Sequence, residues 1–132
     1  MRIVMDDAGD IPPELADQYN IVTIPVNVTF GTEQYLTGVE LDHAGFYEKV
    51  KEVGDHNFPK SSQPTPFQYV ELYKSLMAEG EDEFMTITVG EKLSGTYASA
   101  EAARAQLQGQ ADVAATDLLV GGIPFQSEVV VA

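Results

Sequence analysis

Apolar and polar positions change period repeatedly along the chain, and the changes mark alternating strands and helices. Arg2 to Met5 is a short apolar run that reads as a buried strand, followed by a polar loop from Asp6 to Asp10. Pro12 and Pro13 open a helix through Tyr19, because the first helical turn tolerates proline, and Asn20 suits its stop. Val22 to Phe30 (VTIPVNVTF) is rich in β-branched residues, and Pro25 within it predicts an edge position or a bulge. Gly31-Thr32 makes a turn, and Gln34 to Leu36 pairs back as a short strand. Asp42 is the expected N-cap of a helix through about Val53, and Gly54 to Thr65 reads as a long polar loop.

Thr65-Pro66-Phe67-Gln68 carries the spacing of a capping box with proline at the first helical position. Phe67, Val70, Leu72, Tyr73, Leu76 and Met77 form the expected apolar face, and Gly80 ends the helix. Phe84 to Val89 is the next strand, Gly90 to Gly95 a loop, and Thr96 to Leu107 an alanine-rich helix stopped near Gly109. Val113 to Thr116 predicts another strand and Gly121 to Pro124 a turn, while Phe125 to Ala132 fits either strand or helix. The pattern predicts an α/β fold with a largely parallel sheet flanked by helices and right-handed crossovers. In such sheets ligands bind beyond the carboxyl ends of the strands. The loops at Asp6 to Asp10, Ser61 to Thr65 and Gly90 to Thr96 are expected to gather there.

Composition narrows the function. A length of 132 residues is that of one domain with a real core. The absence of cysteine removes disulfides, thiolate metal sites and cysteine nucleophiles. The formal net charge is −14, from 21 Asp plus Glu against 7 Lys plus Arg, which repels nucleic acid and anionic membranes alike. Such a surface keeps a protein soluble, and any anionic ligand must be held by local dipoles against the global field. The N-terminus lacks the apolar core of a secretory signal, and no stretch is long and apolar enough to span a bilayer. The expectation is a soluble, cytoplasmic protein with no stable membrane anchoring and no nucleic-acid partner.

Two hydroxyl clusters carry the candidate chemistry. Ser61, Ser62 and Thr65 precede one helix, and Ser94, Gly95 and Thr96 open another. Helix starts offer unpaired N–H groups and a positive dipole end, hence an anion site without formal positive charge. Serine and threonine hydroxyls add donors, and glycine lets the backbone approach closely. Each cluster taken singly reads first as a set of N-caps, and Thr65 in particular reads as a cap. Asp6, Asp7 and Asp10 offer an alternative: a magnesium-dependent phosphoryl-transfer or hydrolytic enzyme using Asp6 or Asp7. Their spacing matches no metal loop, and Asp10 before Ile11-Pro12-Pro13 also reads as an N-cap. His43 and His56 have no second histidine at ligand spacing and are expected on the surface. Neither a Gly-x-Ser-x-Gly elbow nor a P-loop is present.

The same segments resemble the DegV family. Ile3-Val4-Met5-Asp6-Asp7-Ala8-Gly9-Asp10-Ile11-Pro12 is similar to its first strand and aspartate loop, and Pro25-Val26-Asn27-Val28-Thr29-Phe30 to its second strand. Lys60-Ser61-Ser62-Gln63-Pro64-Thr65-Pro66 resembles its Thr-Ser-Gln-Pro-Ser motif, and Leu93-Ser94-Gly95-Thr96-Tyr97-Ala98-Ser99-Ala100 its Leu-Ser-Gly-Thr-Tyr-Gln-Ser-Ala motif. The likeness runs through about Leu107. It implies a fatty-acid-binding carrier of two α/β domains that catalyses nothing itself, needs no metal or cofactor, and presents its lipid to a partner kinase. Ser61 takes the place of the carboxylate-binding threonine, Ser62 is its neighbour, Ser94 is the hydroxyl of the second motif, and Gly95 and Thr96 shape that loop.

Three departures accompany the likeness. Asp7 stands where the family usually has serine. The basic and histidine side chains of a second domain are absent, so residues 1–132 are expected to be a single, truncated N-terminal domain. The tail is irregular: Val113 to Asp117 resembles the next strand and its aspartate, and Gly121 to Gln126 is a looser match. A truncated domain would also fit a non-binding fragment that dimerises through exposed apolar surface.

Overall fold

The computed structural model describes residues 1–108 and the backbone of residues 117–122. The order is β1 (Arg2–Asp6), a 3-10 turn (Asp7–Gly9), α1 (Pro13–Gln18), β2 (Ile21–Ile24), β3 (Asn27–Phe30), β4 (Glu33–Leu36), α2 (His43–Val53), β5 (Lys60–Ser62), α3 (Pro66–Ala78), β6 (Glu83–Thr88), α4 (Thr96–Gln108) and β7 (Asp117–Gly122). β2, β1, β6 and β7 form a wholly parallel sheet in that order, as the alternation of elements requires. Its register sets Val4 beside both Val22 and Thr86.

α3 and α4 cover one face of this sheet. The core joins Val4, Ile24 and Phe84 of the sheet to Tyr69, Val70, Tyr73 and Leu76 of α3 and to Ala100, Ala103 and Leu107 of α4. Small alanines let α4 come close to α3, and the aromatic rings of Tyr69, Tyr73 and Phe84 stack in series at 5.9 and 5.7 Å. Of the two phenol tips in that stack, the Tyr73 hydroxyl lies 2.6 Å from Thr86 Oγ1, whereas the buried Tyr69 hydroxyl has no partner among the described residues. Burial of its phenol pushes the Tyr73 pKa up to about 12.

The structure corrects several local expectations. Pro25 does not bend one strand but divides the run into β2 and β3, which enter different sheets. β3 centres a second, antiparallel sheet, β4-β3-β5, that a parallel reading leaves out. β5 falls inside the expected polar loop, where edge pairing with β3 supplies hydrogen bonds that local sequence does not advertise. On α3 the buried stripe is Tyr69, Val70, Tyr73 and Leu76, whereas Phe67, in the first turn beside the solvent-facing cap, is 70% exposed.

Asp10 is not an N-cap either. It adopts φ 48° with its N–H on the Asp7 carbonyl, and Pro12 occupies the cap position of α1. Gly121 and Gly122 continue β7 rather than forming a turn, and β7 begins at Asp117, after the segment expected to be a strand. Val113 to Thr116, Gly109 and Ile123 to Ala132 lie outside the described residues.

Candidate functional site

The three expected loops do come together at the carboxyl edge of the parallel sheet. Asp6 ends β1 with only 2% of its surface exposed. Its carboxylate accepts the Val89 N–H at 2.9 Å, just past β6. The Ala8 and Gly9 amides of the 3-10 turn lie near it and favour its charged form. Burial nevertheless raises its pKa; the amide donors oppose that rise and the neighbouring Asp7 adds to it. Asp6 therefore fastens the first loop to the third.

The second and third loops meet through Gln63 and Gly95. A Cβ on Gly95 would come within 2.8 Å of Gln63 Nε2, so glycine here permits the approach of the two segments. Ser94 is half-buried, and its Oγ lies 3.0 Å from Thr96 Oγ1 and accepts the Thr96 N–H at 3.3 Å. Thr96 is 3% exposed. Thr65 forms the full capping box with Gln68: the Gln68 N–H donates to Thr65 Oγ1 at 3.2 Å and the Thr65 N–H to Gln68 Oε1 at 2.8 Å. Thr65 is thus spent as a cap.

Strand alternation separates the two serines of the first cluster. Ser61 stands opposite Val28 and Ser62 opposite Asn27, so they project from opposite faces of the antiparallel sheet. Ser61 lines an open cavity of about 330 Å³, and Ser62 is not among its walls. The apolar walls are Ala8, Val26, Val28, Leu41, Phe46 and Tyr47. The polar ones besides Ser61 are Thr37, Asp7, Asp10, Asp42 and His43. A second cavity of about 480 Å³, against α1 and β2, shares Asp7, Asp42 and His43 with the first.

α2 forms one wall without burying any residue of its own. Its N-terminus is held by the Asp42 cap on the Gly45 N–H at 2.7 Å and by His43 Nε2, 3.2 Å from Asp10 Oδ1. Further along, Phe46 packs on Phe30 at 5.9 Å, and Lys49 pairs with Glu33 while lying 5.7 and 5.1 Å from the Phe30 and Tyr35 ring centres. Lys49 is held above its ordinary pKa, first by the Glu33 contact.

Sequence reasoning missed the cavity walls. His43 is exposed, as expected, and also lines both cavities, as does Asp7. The signal available was the alternation of Val26, Val28 and Phe30, which puts three apolar side chains on one face of β3 and the residue leading into it. Leu41, Phe46 and Thr37 carried no such signal, because their convergence depends on how α2 and the β4 exit fold over that sheet. Among the described residues no group of three or more histidine and carboxylate side chains is placed to hold a metal ion. Among the same residues no helix is long and apolar enough to cross a membrane.

The chain matches a family model described as "Uncharacterised protein, DegV family" over residues 1–131. A DegV domain-containing protein of Listeria innocua is 36% identical over 109 residues, covering 83% of this chain and 38% of that protein. A protein of Thermotoga maritima named fatty acid-binding protein is 30% identical over 131 residues, covering 98% of this chain and 45% of its own length. The crystal structure of a stearic acid-binding protein from Eubacterium ventriosum superposes with a TM-score of 0.80 at 26% identity, covering 90% of this chain and 40% of that one. The chain thus spans less than half the length of these relatives.

Proposed function

The chain belongs to the DegV family, and from that premise we propose that it binds a long-chain fatty acid without transforming it. Relatives bear the names of fatty-acid and stearic-acid binders. The observation that carries the reading to this chain is the placement of Ser61 on the wall of a cavity that Val26, Val28, Leu41 and Phe46 line together with the polar Thr37, Asp7, Asp10, Asp42 and His43. Such a mix, apolar surface with a few polar groups, suits a ligand with one polar end. Each buried methylene contributes about 0.8 kcal/mol, so the acyl chain dominates affinity and the hydroxyls set orientation.

In this reading Ser61 and Ser94 donate to the acyl head group, Gly95 and Thr96 shape the second loop, and Ser62 supports its neighbour from the other face of the sheet. The α/β unit supplies one side of the lipid site, and a further protein surface completes it. The loaded protein then presents its head group to a kinase, which does the chemistry.

Native mass spectrometry of the protein purified from cells tests the reading. A bound mass equal to a fatty acid, displaced by added oleate, supports it. Empty protein that takes up neither oleate nor palmitate sinks it. Replacing Ser61→Ala together with Ser94→Ala is expected to weaken uptake about tenfold or more while thermal unfolding stays cooperative, as expected for lost hydrogen bonds to a polar head group. Unchanged uptake would remove both hydroxyls from the site.

A further inference from the structure

We propose that Asp6 is the positioning residue for Ser94, holding the loop after β6 in the form that offers the Ser94 hydroxyl to an acyl carboxylate. The inference rests on the fatty-acid reading above and names the side chain that fixes one of its two hydroxyls. Asp6 itself touches no ligand in this reading: it is 2% exposed and lines neither cavity.

Asp6 ends β1, which lies inside the parallel sheet between β2 and β6 and so provides a fixed base. From there its carboxylate accepts the Val89 N–H at 2.9 Å. The Val89 carbonyl accepts in turn from the buried Thr88 hydroxyl at 2.9 Å. Both backbone polar groups of the first residue past β6 are therefore set by side chains. The next carbonyl, that of Gly90, accepts the Leu93 N–H at 2.9 Å and the Ser94 N–H at 3.2 Å. Ser94 Oγ then accepts the Thr96 N–H at the start of α4. Hydrogen bonds and the peptide units between them thus run without a break from Asp6 to Ser94.

Packing does not replace this tie. Glu91, Lys92 and Leu93 are exposed, so the loop buries no apolar side chain between Gly90 and Ser94. Among the described residues no other hydrogen bond reaches residues 89–95 from outside residues 88–99. The remaining tie is steric, the close approach of Gln63 at Gly95. A hydroxyl orients a ligand well only when its own place is fixed beforehand, because ordering a loose loop on binding offsets the hydrogen bond gained. Asp6 supplies that fixity from the centre of the sheet.

Calorimetric titration with dodecanoate and 1-dodecanol at about pH 8, where the free acid is ionised, tests the proposal. Asp6→Ala is expected to weaken dodecanoate binding about tenfold and dodecanol binding less than about threefold, since hydrogen bonds to a charged group are the stronger ones. Asp6→Asn, which keeps an acceptor for the Val89 N–H, is expected to recover most of the loss. In a Ser94→Ala background Asp6→Ala is expected to lower dodecanoate affinity no more than about twofold further, whereas in a Ser61→Ala background it lowers it about tenfold again. Equal losses for the two ligands, no recovery in Asp6→Asn, or the same loss in both serine backgrounds means that Asp6 serves the fold alone and overturns the proposal. A measurement without substitution covers the case of a misfolded Asp6→Ala. On adding dodecanoate to the unaltered protein, amide exchange at Val89 and Ser94 is expected to slow by the same factor, because the two open together. Slowing at Ser94 alone overturns the proposal. Dodecanoate that binds the unaltered protein but is indifferent to Ser94→Ala overturns the proposal and leaves fatty-acid binding standing. No binding of dodecanoate to the unaltered protein overturns both.

Discussion

A carboxylate with 2% exposure is costly unless its charge is answered. Asp6 answers it with one hydrogen bond, from the Val89 amide, and with the nearby amides of the turn that follows it. Its raised pKa means that the folded chain holds this proton over a window in which the unfolded chain, near the ordinary value of 3.8, has already released it. The contribution to stability is therefore complete at low pH and declines as pH rises through the folded value. Asp6→Asn keeps an acceptor for the Val89 N–H and removes the titration. Its urea midpoint, relative to the unaltered protein, is expected to climb from about pH 4 upward; parallel midpoints across that range would contradict the account. From sequence, Asp6 and Asp7 are two adjacent acids in one loop. Strand β1 gives them opposite fates, turning Asp6 inward to an amide 83 residues away and leaving Asp7 at the cavity.

Among the elements, α3 was the most legible and β5 the least. The start of α3 is specified by four consecutive residues whose bonds close on one another, so no distant contact is needed to recognise it. Thr65→Ala removes the cap and is expected to cost about 1 kcal/mol, measured by denaturant unfolding with the slope unchanged. Because Gln63 packs at Gly95 and Thr65 follows two residues later, hydrogen exchange should quicken at the first turn of α3 before that of α4. The antiparallel sheet was half legible: the β3–β4 hairpin announced itself through Gly31-Thr32, but β5 owes its strand form to pairing with β3. The reading of Ser61 and Ser62 as neighbouring hydroxyls in one polar loop gave no sign of their separation for the same reason, since only a strand assigns successive residues to opposite faces.

At the scale of the whole molecule, charge and topology act separately. A net charge of −14 on 132 residues repels itself in the compact state. Raising ionic strength from about 0.01 M to about 0.15 M shortens the screening length from roughly 30 Å to roughly 8 Å, and the melting temperature is expected to rise. A falling melting temperature over that range would mean that ion pairs such as Lys49–Glu33 outweigh the repulsion. The parallel sheet and the gathering of loops at its carboxyl edge followed from the order of elements, because right-handed crossovers leave few other arrangements.

The sequence by itself therefore determined what depends on neighbours in the chain: the helix starts, the hairpin turn, the alternation that builds a parallel sheet, and the motifs by which the family is recognised. The tertiary structure alone decided what depends on distant partners. It set the pairing that made β5 a strand and sent Ser61 and Ser62 to opposite faces. It set α2 against β3 to wall an open cavity, and it spent Asp6 on a backbone amide while leaving Asp7 on the wall of that cavity. Periodicity records which face of an element is buried, but not which other element buries it.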